Sequence, residues 1–329
     1  MKYLYLFIFF GFLFLTCCMN NAGITNGNVI YIQQFEREEE LEGEKLEYID
    51  SFGFMGCELV YPYLLLNLYK QSEFIALYHL EKEEYIGLFF SKGEGPEEFL
   101  AFNIVNRINN GSVWIDDPIR RKLKEYVFMD TINAVKAIEQ NVIEYREEND
   151  VYSIFPIKDE SFVYKAFAEN KGVYLKTKKR EIYPYKEVFT RNDMNRTSQL
   201  ADCINTEGTK WVSLSGVFDQ IDIISLSDEE KSISVTTATS LTSWETYRNK
   251  NEEDLMEYYL TLPRCNDSYI AALHNQNGNK EIILIDWSGN GICRWKIKEN
   301  IIDFCIDWER NKLYGVTEDE NIYCYHFKL

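Results

Sequence analysis

A chain of 329 residues can bury one large core or two ordinary ones, and 46% hydrophobic with 15% aromatic residues excludes wholesale disorder. Its 35 basic residues against 53 acidic ones give a formal net charge of −18, which repels phosphate backbones and anionic headgroups and argues against a nucleic-acid partner.

In chain order, Lys2 precedes an uncharged apolar run, Tyr3–Thr16, interrupted only by Gly11. Crossing hydrocarbon as a helix takes about 20 residues, so this run reads as a signal peptide over residues 1–17 rather than as a span. Leu15-Thr16-Cys17-Cys18 resembles a bacterial lipobox, with Leu three places before the modified Cys and a small residue at the cleavage point. Cys18 is the expected lipid attachment, with Cys17 as the alternative. The competing reading is an ordinary secretory signal, or an uncleaved anchor, ending in two incidental cysteines. Residues 18–43 are expected to be a tether and acidic linker. Asn20–Asn28 is poor in large apolar residues, and Glu36–Glu47 reads as a solvated face or part of the tether rather than a metal site.

From residue 44 to 329 strand patterns follow one another. Tyr63–Leu68, Gly111–Asp116, Ser161–Lys165, Lys210–Leu214, Ser268–Leu273 and Lys312–Thr317 recur at intervals that suit four strands plus loops, so six such anchors predict an all-β, six-bladed β-propeller. After Tyr63–Leu68, the strands Phe74–Leu80 and Tyr85–Phe90 lead into Lys92–Phe99. There Pro96 lacks an amide proton and two glycines relax the backbone, which marks a connector outside the ladder. Its three glutamates and missing Walker lysine make it a poor phosphate cradle. Thr131–Glu144 carries Val135, Ile138 and Val142 at roughly helical spacing and can be read as a helix, a reading that its β-branched content weakens. The basic run Lys176, Lys178, Lys179 and Arg180 reads as a solvated edge, or as a contact for an anion. Ser243–Tyr259 is the best place for a short helix or a lid over one face. At the end, Glu281–Trp287 and Gly291–Ile297 flank a Ser288-Gly289-Asn290 turn, and Ile301–Asp307, Leu313–Thr317 and Ile322–Phe327 supply three strands of a last blade. A blade needs four. Lys45–Asp50 is expected to be the fourth, so that an N-terminal strand joins the C-terminal blade and closes the ring.

Lys92-Gly93-Glu94-Gly95-Pro96-Glu97-Glu98-Phe99 resembles the Gly-x-Gly-Pro-x-Glu-Phe connector of the TolB-like six-bladed β-propeller lipoproteins of Bacteroidetes, with Glu94 and Glu97 departing from the usual basic residue and Gly. Gln220-Ile221-Asp222-Ile223 and Leu284–Asn290 resemble later blades of that family. The resemblance covers residues 45–329 and implies an outer-membrane location, while carrying over no catalytic residue. The absence of acidic residues in Met19–Asn28 favours the periplasmic side.

Chemistry is sparse. No HExxH, G-x-S-x-G or calcium-loop spacing is present. His79 and His326 lie in strand-like segments and read as structural imidazoles, and His274 is a candidate to face the axis. Asp116-Asp117, Asp286 and Asp307 sit at apparent strand ends, where Asp satisfies turn amides or where two carboxylates can converge on the axis. The remaining cysteines, Cys57, Cys203, Cys265, Cys293, Cys305 and Cys324, form no short CxxC pair and read as buried thiols with few or no disulfides. No catalytic residue, metal ligand or cofactor is assigned. The favoured function is a monomeric, non-catalytic binding or scaffold lipoprotein that holds an envelope protein, peptide or glycan on a propeller face. The alternative is an envelope hydrolase or lyase with an axial acidic site, with or without a divalent cation.

Overall fold

The computed structural model describes residues 28–50, 53–105, 111–132, 134–145, 151–157, 161–169, 172–183, 200–227, 232–241, 249, 257–276 and 278–329. The signal peptide, Cys17, Cys18, the first part of the tether and most of Ser243–Tyr259 lie outside the described residues.

The described strands form six sheets around one axis. Blade 1 is β4 (Phe54–Val60), β5 (Tyr63–Leu68), β6 (Glu73–His79) and β7 (Glu84–Ser91). Blade 2 is β8 (Asn103–Ile104), β9 (Val113–Asp117), β10 (Lys122–Asp130) and β11 (Val135–Glu144), and blade 3 is β12 (Val151–Ile157), β13 (Ser161–Ala168), β14 (Gly172–Lys176) and β15 (Glu181–Ile182). Blade 4 contains β16 (Leu200–Ile204), β17 (Lys210–Ser215), β18 (Ile221–Ser225) and β19 (Ile233–Thr236). Blade 5 contains β20 (Arg264–Cys265), β21 (Tyr269–Gln276), β22 (Asn279–Asp286) and β23 (Gly291–Ile297). Blade 6 has β24 (Ile301–Asp307), β25 (Lys312–Thr317) and β26 (Ile322–His326), with β3 (Gly43–Lys45) antiparallel to β26. An N-terminal strand closes the ring as expected, but it lies at Gly43–Lys45 rather than over Lys45–Asp50, of which Lys45 alone belongs to β3. All six recurring anchors of the sequence are the second strand of a blade, β5, β9, β13, β17, β21 and β25.

Each blade is packed on both faces by its neighbours, so its middle strands read as continuous apolar runs rather than alternating ones. Ile282, Ile283, Leu284 and Ile285 of β22 are all fully buried, two toward blade 4 and two toward blade 6. Between blades 6 and 1, Cys57, Leu64 and Leu66 meet Cys305, Tyr314 and Val316. All six described cysteines are buried and unbridged.

Two findings depart from the sequence reading. Residues 28–41, read as tether and linker, contain strands: β1 (Asn28–Tyr31) adds parallel to β19, and β2 (Arg37–Leu41) adds parallel to β23. This strap covers the outer edges of blades 4 and 5 before β3 closes blade 6. Its anchors are Ile32 and Phe35, which join the core between blades 4 and 5, while Glu38 faces solvent and pairs with Arg294 and Lys296. Gly289 makes the fit possible, because a Cβ there would stand 2.9 Å from both Ile30 and Val235. The second departure is Thr131–Glu144. Val135–Glu144 is the strand β11 rather than a helix, paired antiparallel with β10, with Val135 and Ile143 half-buried and Ile138 and Val142 exposed.

Candidate functional site

The first strands of the blades converge on an axial channel of about 660 Å³. Its walls carry Met55, Phe74, Phe102, Tyr152, Leu260 and Ile302 beside three carboxylates, Asp116, Asp202 and Asp303. Phe74 and Phe102 stack at one side, with ring centroids 4.7 Å apart and planes 9° from parallel.

The three carboxylates are treated differently by their surroundings. Asp202, at the middle of β16, is ion-paired with the buried Lys165 of blade 3 and accepts hydrogen bonds from the hydroxyls of Ser153 and Ser213 and from Trp211 Nε1, the last two at 2.7 and 3.1 Å. Asp303, on β24, accepts from Cys57 N at 3.0 Å, from Arg264 Nη2 at 3.1 Å and from the Thr261 hydroxyl. Arg264 is 2% exposed and also reaches Glu58 at 3.1 Å, so one guanidinium ties β20 to β4 and β24, joining blades 5, 1 and 6 near the axis. Among the described residues Asp116 has no such cation as a partner. It accepts from the Tyr145 hydroxyl at 2.7 Å and from the Asn103 side chain, and burial, reinforced by the neighbouring Asp117, pushes its pKa up to about 6.

The strand-end aspartates named from sequence therefore divide. Asp117, Asp286 and Asp307 are turn caps: Asp117 accepts from Leu100 N and Arg120 N, Asp286 from Ser288 N and Asn290 N, and Asp307 from Glu309 N and Arg310 N. Only Asp116 reaches the axis. Its companions Asp202 and Asp303 were not singled out, although an Asp inside an otherwise apolar first strand, as in Leu200–Ile204 and Ile301–Asp307, is the signal that could have found them.

The histidines do not build a site at the axis. His79 is buried, packs edge-on against Tyr63 and accepts from Lys82 N. His326 lies in a strand as expected, at the exposed end of β26. His274 does not line the channel. It lies between blades 4 and 5, with Nδ1 3.3 Å from Glu281 and Nε2 3.3 Å from Asp219, the latter off good hydrogen-bond geometry. Burial opposes its charge, but Asp219 and Glu281 raise its pKa above the ordinary value. Asp219 is the counterpart: burial works against its carboxylate, yet His274, Thr237 and Tyr259 hold it below the usual range.

The Lys92–Phe99 segment is a connector held from blade 2. Arg120 donates to the carbonyls of Gly93, Gly95 and Glu98, and the Glu98 carboxylate accepts from Gly95 N at 2.7 Å. In the basic run, Arg180 donates to the Leu226 carbonyl and so clasps blade 3 to blade 4. Among the described residues no group of three or more His, Cys, Asp or Glu is placed to hold a metal ion, and no helix is long and apolar enough to cross a membrane.

A family model described as TolB-like 6-blade propeller-like matches residues 64–201. Solved structures similar to the chain include the following three. Raptor of Chaetomium thermophilum matches at 9% identity and a TM-score of 0.49 over 85% of this chain and 28% of that one, so the chain spans less than a third of Raptor. A Bacteroides fragilis protein described as exported matches at 12% identity and a TM-score of 0.49, over 92% of this chain and 100% of that one. The Swd1 β-propeller domain of Myceliophteria thermophila matches at 12% identity and a TM-score of 0.41, over 87% and 100%. No curated protein matches the chain.

Proposed function

Starting from a six-bladed β-propeller related over residues 64–201 to TolB-like propellers, we propose that this is an exported, lipid-anchored binding protein of the outer membrane, facing the periplasm and attached through Cys18. Its ligand, a protein, peptide or glycan of the envelope, is held at the channel face without chemical conversion. The observation that carries the non-catalytic reading is the state of the axial carboxylates. Asp202 and Asp303 are engaged by buried donors and cations, which leaves Asp116 without a second carboxylate free to share acid and base work. The hydrolase or lyase alternative keeps one specific support, the pKa of about 6 at Asp116, which suits a general base near neutrality.

The anchor and the binding face are tested separately. Radiolabelled palmitate should label the wild type and Cys17→Ser but not Cys18→Ser; label persisting in Cys18→Ser would move the attachment. For the face, peptide and glycan arrays probed with the full chain should give a specific signal that Tyr152→Ala and Phe102→Ala each reduce at least tenfold. Turnover of a bound ligand that is abolished by Asp116→Asn would replace the binding reading with the enzymatic one.

A further inference from the structure

The charge inventory of the channel is unbalanced. Asp116, Asp202 and Asp303 line it and Glu58 stands behind Asp303, while the buried cations are Lys165 on Asp202 and Arg264 shared between Glu58 and Asp303. Among the described residues four carboxylates thus face two cations. The deficit falls at Asp116, whose partners are a phenol and an amide.

Burial in a low-dielectric wall makes an uncompensated carboxylate a strong attractor for a cation that can replace its lost hydration. The groups around it say what kind. Phe74 and Phe102 offer a flat stacked pair, and Met55, Tyr152, Leu260 and Ile302 add apolar surface, whereas a hard metal ion needs several oxygen ligands that are not grouped here among the described residues. A protonated amine on an apolar or aromatic stem satisfies both halves, with the ammonium on the carboxylate and the stem against the rings.

We propose that the axial channel binds a primary ammonium group carried on an apolar or aromatic stem, with Asp116 as its charge partner and Phe74 and Phe102 as the wall for the stem. This rests on the reading that the channel face is the ligand site, and it names the ligand's chemistry. Among the described residues the titratable and charged groups around the site are Asp117 on β9, Tyr145 after β11, the Asp202–Lys165 pair of blades 4 and 3, Asp303 with Arg264 across the channel, and Lys92, whose Nζ lies 5.0 Å from the Phe74 ring centroid and donates to the Gln71 carbonyl. None of them supplies a free positive charge to Asp116. Because the carboxyl must release its proton to pair with the ammonium, the affinity falls as pH drops through about 6, by roughly tenfold between pH 7 and pH 5.

The test is calorimetric titration of the full chain with benzylammonium, benzyl alcohol and benzoate at low ionic strength. Benzylammonium should bind at least tenfold more tightly than the other two at pH 7 and lose about tenfold at pH 5. Asp116→Asn should bind benzylammonium and benzyl alcohol alike, and Phe102→Ala should weaken both. Equal binding of the three probes, an Asp116→Asn variant that keeps the preference, or displacement of benzylammonium by millimolar calcium would each overturn the assignment. Should Asp116→Asn fail to fold, the pH dependence of the wild type decides alone. If the probes do not bind while an array ligand still depends on Tyr152, the ammonium assignment fails and the channel face stands; if neither binds, the site itself is refuted.

Discussion

Replacing Arg264 by Met tests whether the ring is closed by electrostatics near the axis as well as by the β3–β26 pairing. The guanidinium reaches Glu58 of blade 1 and Asp303 of blade 6 at 3.1 Å each and donates to the Cys57 carbonyl at 3.3 Å. Methionine fills much of the same volume and takes away the only cation described between those carboxylates, which are 4% and 8% exposed. Breaking a buried pair by removing one partner costs about 3–5 kcal/mol, because the remaining charge keeps its desolvation penalty. With a urea slope of about 3 kcal/mol per molar for a chain of this size, the unfolding midpoint should fall by about 1–1.7 M at pH 7. Adding Glu58→Gln and Asp303→Asn to Arg264→Met should recover more than half of that loss. An Arg264→Met variant within about 1 kcal/mol of wild type, or a triple variant no more stable than the single, would refute the reasoning.

Asp116→Asn should stabilise the protein at neutral pH. A folded pKa of about 6 against 3.8 unfolded gives a contribution that is full below pH 4 and lost as pH rises through 6, so the variant's advantage should grow by up to about 3 kcal/mol between pH 4 and pH 7, read from thermal melts at each pH. His274 acts in the same direction, its stabilisation complete below its ordinary value of 6.5 and disappearing as pH climbs through the raised folded value; His274→Gln should flatten stability against pH in that window, and an unchanged slope would count against the Asp219–His274–Glu281 arrangement. Gly93→Ala would put a Cβ 2.0 Å from Glu98 Oε2 and displace the carboxylate that holds Gly95 N, with a cost of about 1–3 kcal/mol by urea unfolding. Deleting residues 1–35 should keep the β3 closure but uncover β19 and remove Ile32 and Phe35 from the core, lowering the midpoint and raising concentration-dependent association by light scattering.

The repeat of apolar strands settled the architecture without coordinates, because a blade buried on both faces must write its middle strands as unbroken runs such as Ile282–Ile285. The turn-capping role of Asp286 and Asp307 was equally open to reading, since it depends only on residues two to four places away. Hidden from such reading were the strap and the channel. β1 is only four residues long and β2 is acidic, and both are held by parallel partners more than two hundred residues later whose edge would otherwise be unpaired. Asp116, Asp202 and Asp303 lie far apart in the chain, and whether each is compensated depends on Lys165 or Arg264 arriving from another blade. Strand identity is local, carried by periodicity over a few residues; charge compensation at the axis is a sum over blades, and only the closed ring performs it.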